Sequence, residues 1–446
     1  MERRMPAKGM MLHKGRRAPS SLWPSEAQRG RGVRFRERVK MHKTESCKGF
    51  LLLIITAPFL GYKIITAPFL GHKTGAGIQL RDFACQAGGG MVWNKTRLSI
   101  LGGVLFNLLK KKGRSAVGVD LGYSGLKVAV LKEEKGRRVV ENLLVRNFPP
   151  GTLLEDKILE RENLVAALRD MWTRESLSKD RVVASVLGRV QMKRAMVSPM
   201  DQEALDRYLA LEGESLFGLP FSQLVVDYVV LAHREEDMDL LVVGVPLNLV
   251  SAVREIFQEA VVELRILDVA PLALYHLLGF IEVGDLPGLS LLIDVGKCFT
   301  TLVVLEDRQP IYAKGISLGG DWVTYKIHKE EAVPYVEAEA IKVNELSEKP
   351  YAGKLVRDFV MTLAKELKLS LGECKELIRQ GDGEVNRILY TGGGGLLVGF
   401  EKVFQEMFDL EVKNIYYFIS GEEMRKWDSF LDRCSVALGL ALRGLV

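Results

Sequence analysis

The stretch Gly118-Val119-Asp120-Leu121-Gly122-Tyr123-Ser124-Gly125-Leu126-Lys127-Val128 decides the fold, because a second stretch matches it: Leu292-Ile293-Asp294-Val295-Gly296-Lys297-Cys298-Phe299-Thr300-Thr301-Leu302. Each reads apolar, apolar, Asp, one residue and Gly, or a close variant, then a short turn and a returning strand. An Asp at the end of a buried strand can hold water on a hard cation such as Mg²⁺. The glycine that follows lets the backbone bend until its N–H groups face a phosphate. Ser124, Thr300 and Thr301 offer further donors, and Lys127, seven residues after Asp120, could reach a phosphate. A single such hairpin is an ordinary turn. Two can clamp phosphates from both sides.

Two more segments fit that picture. Ile388-Leu389-Tyr390-Thr391 reads as a strand that runs into Gly392, Gly393, Gly394 and Gly395, and a glycine run there allows close approach to a flat ring or a ribose. Within Ala338-Glu339-Ala340-Ile341-Lys342, Glu339 and Lys342 share one helix face at i,i+3. Either segment alone has a plain reading, a loop or a solvated helix face. The chain holds neither G-x-x-x-x-G-K-[ST] nor G-x-G-x-x-G, which disfavours a P-loop enzyme.

Composition sets the outer bounds. At roughly 100–200 residues per domain, 446 residues suggest two to four domains. Apolar residues make up 48% and charged residues 26%, which excludes disorder or a fibre for the chain as a whole. The net charge of +6 hides a split. Residues 1–90 carry 17 Lys+Arg against 5 Asp+Glu, a net of +12, so the remainder is −6. A basic nucleic-acid face on the body is therefore not supported. The five cysteines, Cys47, Cys85, Cys298, Cys374 and Cys434, form no C-x-x-C pair. That argues for a reducing compartment and against a zinc ribbon or disulfide framework. No apolar run reaches the roughly 18–20 residues of a spanning helix.

The first 90 residues stand apart. Ile54–Lys63 and Ile64–Lys73 repeat each other except at Tyr62 and His72, inside Arg- and Gly-rich flanks. This segment is expected to be a non-native or disordered extension that packs on nothing, with Met91 as the natural start; a targeting segment is the other reading. Residues 91–114 hold an apolar stretch, Leu98–Leu109, ahead of Lys110, Lys111 and Lys112. It suits a helix packed on the body or one lying in a membrane interface. Strands and helices then mix through the body, which gives α/β layers.

The order of motifs (hairpin, second hairpin, A-E-x-x-K helix, glycine turn) resembles the actin-like ATPase superfamily. That implies two α/β domains with ATP and Mg²⁺ in the cleft between them. Asp120, Gly122, Tyr123, Ser124, Gly125 and Lys127 would form the first phosphate loop. Gly296, Lys297, Cys298 and Thr300 would form the second. Glu339 and Lys342 would face ribose or adenine, Gly392, Gly393 and Gly394 the adenosine, and Asp120 and Asp294 would hold Mg²⁺ through water. Gly125 and Cys298 depart from the usual phosphate turns, which points to slow hydrolysis, and no residue stands out as the base that orients an attacking water, so binding is expected more than turnover.

Within the superfamily, three stretches resemble the PilM family of type IV pilus assembly and its relative FtsA. They are Leu211–Glu214 through Leu219-Pro220-Phe221 to Val225-Val226-Asp227-Tyr228; Ile266–Pro271; and Val436–Gly444. The resemblance implies domain 1 over 115–275 with an inserted FtsA/PilM-type (SHS2) subdomain at about 147–265. Domain 2 would cover 276–446, its closing helix returning to domain 1. It implies a cytoplasmic protein, peripheral at the inner face of the plasma membrane, without a transmembrane span. A groove beside the insertion would take the N-terminal peptide of a PilN-like inner-membrane protein. The pilus platform and its motor ATPase, or a related type II secretion system, would be further partners, with self-association left open and no nucleic acid. An FtsA-like division filament protein and a small-molecule kinase of the same superfamily are the alternatives.

Overall fold

The computed structural model describes residues 51–55, 63–67, 114–134, 136–154, 157–178, 181–281, 286–378, 384–418 and 427–445. Two strands precede the body, β1 (Leu51–Ile55) and β2 (Lys63–Ala67). Domain 1 opens with β3 (Arg114–Gly122), β4 (Gly125–Glu134) and β5 (Arg137–Asn147). A small hairpin of β6 (Leu153–Leu154) and β7 (Lys157–Ile158) follows, then α1 (Arg161–Arg174) and β8 (Val182–Ser185). The insertion holds β9 (Gln191–Val197), α2 (Gln202–Phe217), β10 (Leu224–His233) and β11 (Met238–Pro246). The chain returns through α3 (Leu247–Glu259), β12 (Leu264–Asp268) and α4 (Ala270–Phe280). Domain 2 runs β13 (Leu289–Val295), β14 (Thr300–Glu306), β15 (Gln309–Ile316), α5 (Gly320–Glu331), α6 (Tyr335–Asn344) and α7 (Ala352–Glu373). It continues with β16 (Val385–Thr391), α8 (Phe400–Phe408) and β17 (Glu411–Asn414), and α9 (Asp428–Leu431) leads to α10 (Ser435–Leu445).

The two domains repeat one topology. Domain 1 orders its sheet β5-β4-β3-β8-β12 and domain 2 orders its strands β15-β14-β13-β16-β17. In each, three consecutive strands meander antiparallel and two more join the first in parallel. The equivalent first strands, β3 and β13, carry Asp120 and Asp294 at their ends. The duplicated hairpins seen in the sequence are thus the visible part of a duplicated sheet.

The insertion is smaller than expected from sequence. Within 147–265, β8 lies inside the domain 1 sheet between β3 and β12. Helices α1 and α3 bury Leu164, Leu168, Val253 and Phe257 in the same core. Only the stretch from β9 to β11 stands apart. Its sheet alternates with period 2. Leu240 and Val242 face α2 with Leu205, Leu209 and Phe217, while Leu241, Val243 and Val245 join the main core. The N-cap read at Asp201 is present: its Oδ1 accepts the Ala204 N–H at 2.8 Å.

One edge of the insertion was not foreseen. Strand β9 pairs antiparallel with β15 at Lys193↔Tyr312 and Met192↔Ala313, so the insertion's sheet continues into that of domain 2. The opposite edge differs from the expectation that residues 1–90 pack on nothing. Strands β1 and β2 form an antiparallel pair, and β2 meets β10 in parallel at Ile65↔Tyr228. The rest of the head and the 98–112 segment lie outside the described residues. Because that strand contact has a single register pair, a chain begun at Met91 should melt within a few degrees of the full chain. Comparing the two thermal melts checks this; a large loss would make the head part of the fold.

The closing helix packs against β3 and α4. Helix α10 is buried along nearly its whole length. A Cβ on Gly118 of β3 would stand 2.0 Å from the Ala437 carbonyl oxygen, and one on Gly439 would stand 1.9 Å from that of Ala273 in α4. Glycine on both sides lets the helix wedge between strand and helix.

Candidate functional site

The β3–β4 register sets Lys127 opposite Asp120, and Lys127 Nζ lies 3.2 Å from Asp120 Oδ2. Ser185, at the end of β8, donates its hydroxyl to Asp120 Oδ1 at 3.5 Å. Gly122 makes room for this pair, since a Cβ there would lie 2.1 Å from Lys127 Nζ. Gly125 has φ +155° and faces the Arg146 carbonyl of β5, where a Cβ would stand 2.2 Å away. Tyr123 and Ser124 make the tip of the turn, and the Ser124 carbonyl accepts the Phe148 N–H. The Tyr123 ring meets Phe299 of the second turn edge-on, at 4.9 Å between centroids.

In the second hairpin the Gly296 N–H donates to the Phe299 carbonyl at 2.9 Å, which closes the turn. The Cys298 thiol donates to Asp321 Oδ2 at 3.3 Å, and Lys297 Nζ stands 4.0 Å from Asp321 Oδ1. Burial first, and then the Asp321 carboxylate, push the Cys298 thiol up to about 12, so it stays protonated. Thr300 does not face the turn. It is fully buried and its hydroxyl donates to the Leu318 carbonyl at 2.7 Å, so its role there is to hold β14 to the chain entering α5.

Glu339 and Lys342 are 2.7 Å apart, as their spacing suggested, but they point into the molecule. Lys342 Nζ donates to Thr324 Oγ1 at 2.8 Å, and Thr324 donates to Glu339 Oε2 at 2.6 Å. Burial alone would raise the Glu339 carboxyl. Lys342 and the Thr324 hydroxyl outweigh it and hold the group below its ordinary range.

Sequence reasoning missed Gly319, Gly320 and Asp321. The Gly320 N–H donates to the Gly296 carbonyl at 2.9 Å and the Asp321 N–H to the Lys297 carbonyl at 2.8 Å, so the start of α5 docks on the second turn. A Cβ on Gly319 would stand 2.4 Å from the Lys297 carbonyl oxygen. The signal was two glycines just ahead of a helical pattern.

The glycine turn sits directly on Asp294. Strands β13 and β16 place Thr391 beside Asp294, and Gly392 follows with φ +92°. A Cβ on Gly392 would lie 2.3 Å from Asp294 Oδ1, and one on Gly394 would lie 2.5 Å from Val295 Cγ1. Beside Gly393 runs the stem of Arg433, which donates to Asn147 Oδ1 across to domain 1 at 3.2 Å. Asp432, another residue the sequence did not single out, accepts from Thr391 Oγ1 at 3.1 Å and Asn414 Nδ2 at 2.7 Å.

Asp294 feels both of its acidic neighbours. Burial, then the Asp120 carboxylate, raise Asp294 to about 7; Lys127 opposes this and Asp432 adds to it. The arrangement brings Asp120, Asp294 and Lys127 near one another. Lys127 lies on one side, glycine backbone on the other and hard carboxylate oxygens between them. These residues fit a nucleotide with a divalent cation: the glycines let the turn backbone pack closely on Asp294 and Lys127, and the oxygen donors suit Mg²⁺.

A duplicated sheet with Asp-ended hairpins on equivalent strands, a glycine turn laid over one Asp and a closing helix that returns to domain 1 defines an actin-like protein. A family model for the type IV pilus assembly protein PilM matches residues 118–445, and the chain belongs to that family. Among solved structures it is similar to a PilM-PilN type IV pilus biogenesis complex, at 22% identity and a TM-score of 0.65, covering 74% of this chain and 98% of that one. More distant similarity links it to the ethanolamine utilization protein EutJ from Carboxydothermus hydrogenoformans. That match has 16% identity and a TM-score of 0.46, over 74% of this chain and 89% of that one. MreB 5 of Spiroplasma citri bound to AMPPNP matches at 14% identity and a TM-score of 0.40, over 74% and 94%. Family membership favours neither the division filament nor the small-molecule kinase. Among the described residues no helix is long and apolar enough to cross a membrane.

Proposed function

We propose that this chain is an ATP-binding component of a pilus-assembly platform, held at the inner face of the membrane by a PilN-like protein. The observation that carries the nucleotide reading is the glycine turn seated on Asp294 with Asp120 and Lys127 close by. Asp120 and Asp294 would hold Mg²⁺ through water, with Ser185 orienting Asp120. Lys127 and the N–H groups of Gly122–Gly125, Lys297 and Cys298 would take the phosphates, with the Gly296 N–H already used to close its own turn. Gly392–Gly394 would take the adenosine, with Glu339 and Lys342 bracing the wall behind it. The cation would neutralise phosphate charge. Among the described residues no three His, Cys, Asp or Glu side chains converge as a metal cage, so part of its shell would come from water and phosphate. Saturation at about 100 Kd stabilises a fold by about 2.7 kcal/mol. Melting should therefore rise by several degrees with Mg·ATP; no shift, together with no heat of binding, would overturn the reading.

The partner reading rests on family membership and on the insertion's seam with domain 1. There Val186, Val225, Val243, Val245 and Val250 pack with the buried Asp227 around a small internal void. Phe221 lies nearby in sequence, ahead of β10. It is 41% exposed, with its ring against Gly213, so it is not the core residue that its type alone suggests. Full burial of Phe is worth roughly 1.5–3 kcal/mol, so Phe221→Ala should cost only about 1 kcal/mol here. It should weaken capture by a synthetic N-terminal peptide of the PilN-like protein at least about tenfold. An early-melting variant that still binds the peptide would count against Phe221 as an anchor.

A further inference from the structure

Each lysine placed in the site is matched by a carboxylate. Lys127 stands 3.2 Å from Asp120, Lys297 4.0 Å from Asp321 and Lys342 2.7 Å from Glu339. Asp294 and Asp432 add acidic groups close to the first of these pairs. A nucleoside di- or triphosphate stays anionic even with a divalent cation bound, so its phosphates need positive charge that is not already matched. Arg433 has it. Its Nη2 donates to the neutral Asn147 Oδ1 at 3.2 Å, and no ion pair joins it to a carboxylate among the described residues.

Its place in the fold is as telling as its charge. Arg433 belongs to the short turn Asp432–Cys434, which leads into α10 and touches both β4 and the glycine turn. The stem of Arg433 passes 3.9 Å from where a Cβ on Gly393 would stand. At the far end of the side chain, Asn147 closes β5 and pairs with Gly125 of the first phosphate turn. A Cβ on Gly125 would lie 2.7 Å from the Asn147 Cα. The side chain thus runs from the glycine turn to the first phosphate turn, along the line on which adenosine and phosphates would lie. Its bond to Asn147 is exposed, so water can replace it at little cost. A guanidinium meets a phosphate as a two-pronged fork, through hydrogen bonds stronger than those to a neutral amide.

We propose that Arg433 is a phosphate-binding residue of the nucleotide site. Its guanidinium leaves Asn147 for a phosphate oxygen of the bound nucleotide, and the chain thereby favours nucleoside di- and triphosphates over the bare nucleoside. The inference rests on the nucleotide reading above and adds a specificity-determining residue to it.

The full chain and the variants Arg433→Ala, Arg433→Lys and Asn147→Ala are titrated by calorimetry with adenosine, Mg·ADP and Mg·AMPPNP. Arg433→Ala should weaken both phosphorylated ligands about 10–100-fold, the usual cost of a lost charge-assisted hydrogen bond. Adenosine should bind the variant and the unaltered chain alike. Arg433→Lys should recover part of the loss, because it keeps the charge and gives up the fork. Asn147→Ala removes only the resting partner, a neutral one, and should hold Mg·AMPPNP to within about twofold. All three melts should stay within about 2 °C of the unaltered chain, because the bond lost is exposed. A side chain that only ties the C-terminal segment to domain 1 gives a different pattern: Arg433→Ala and Asn147→Ala act alike, and adenosine weakens with the rest. That pattern overturns the inference alone, as does a Mg·AMPPNP affinity that Arg433→Ala leaves unchanged. An unaltered chain that binds neither adenosine nor Mg·AMPPNP overturns the nucleotide reading and the inference with it.

Discussion

Gly118→Ala should unseat the closing helix and cost at least about 3 kcal/mol, the upper end of what overpacking a core usually costs. The added Cβ would meet the backbone of α10 at two points, 2.0 Å from the Ala437 carbonyl oxygen and 2.4 Å from the Ala441 nitrogen. Neither atom can rotate away as a side chain would. The helix itself must lift off β3, and its own close contact with α4 at Gly439 resists that. At about 2–4 °C per kcal/mol for a large domain, the melt should fall by at least about 6–12 °C. Gly372→Ala, in α7 with nothing within 4 Å of the new methyl, is the matched control. It should be neutral or gain about 0.5 kcal/mol, because glycine is the poorer helix former. Equal melts for the two variants would mean that α10 is not held in its present seat.

Asp294→Asn should weaken Mg·ATP binding about 10–100-fold, the usual cost of losing an outer-sphere partner of a metal. It should weaken metal-free ATP binding much less. Calorimetry with and without Mg²⁺ separates the two, and an equal loss in both would place Asp294 in folding and not on the cation. A second signature is available without ligand. Burial and Asp120 raise Asp294 to about 7, so the folded chain holds a proton that the unfolded chain releases near the ordinary value of about 3.9. This contribution to stability is full below about pH 4 and is lost as pH rises through 7. The unaltered, nucleotide-free chain should lose more stability between pH 5 and 8 than Asp294→Asn does. Urea midpoints across that range decide it, and parallel curves would refute the shift.

Much of this site was legible because its parts are local. Asp120 and Lys127 face each other across one hairpin, and a hairpin's register follows from its turn. The glycine turn, too, follows its strand without interruption. Strand β9 was not legible for the opposite reason. Gln191-Met192-Lys193-Arg194-Ala195 breaks the apolar alternation that marks a strand, and what stabilises Arg194 inside the sheet are Asp239 and Glu306, 45 and 112 residues further on. The insertion was drawn too wide on similar grounds. The apolar run of β8 reads the same whether it opens a new subdomain or fills a gap between β3 and β12. Thr300 misled because a hydroxyl beside a phosphate turn looks like a ligand, and only the path of Leu318 shows where it is used.

The seat of α10 also imposes an order on biosynthesis. Gly118 and Ala437, which touch in the finished protein, leave the ribosome about 320 residues apart. At ~5–20 residues per second, that interval is roughly 15–60 s. Throughout it, the first sheet has its hairpins but lacks the helix that covers Ala116, Gly118 and Val183. Domain 2, whose sheet and helices come from one continuous stretch, can assemble while the nascent chain is still tethered. The lobe translated first is therefore the lobe finished last, and its uncovered strands are what a ribosome-associated chaperone would meet.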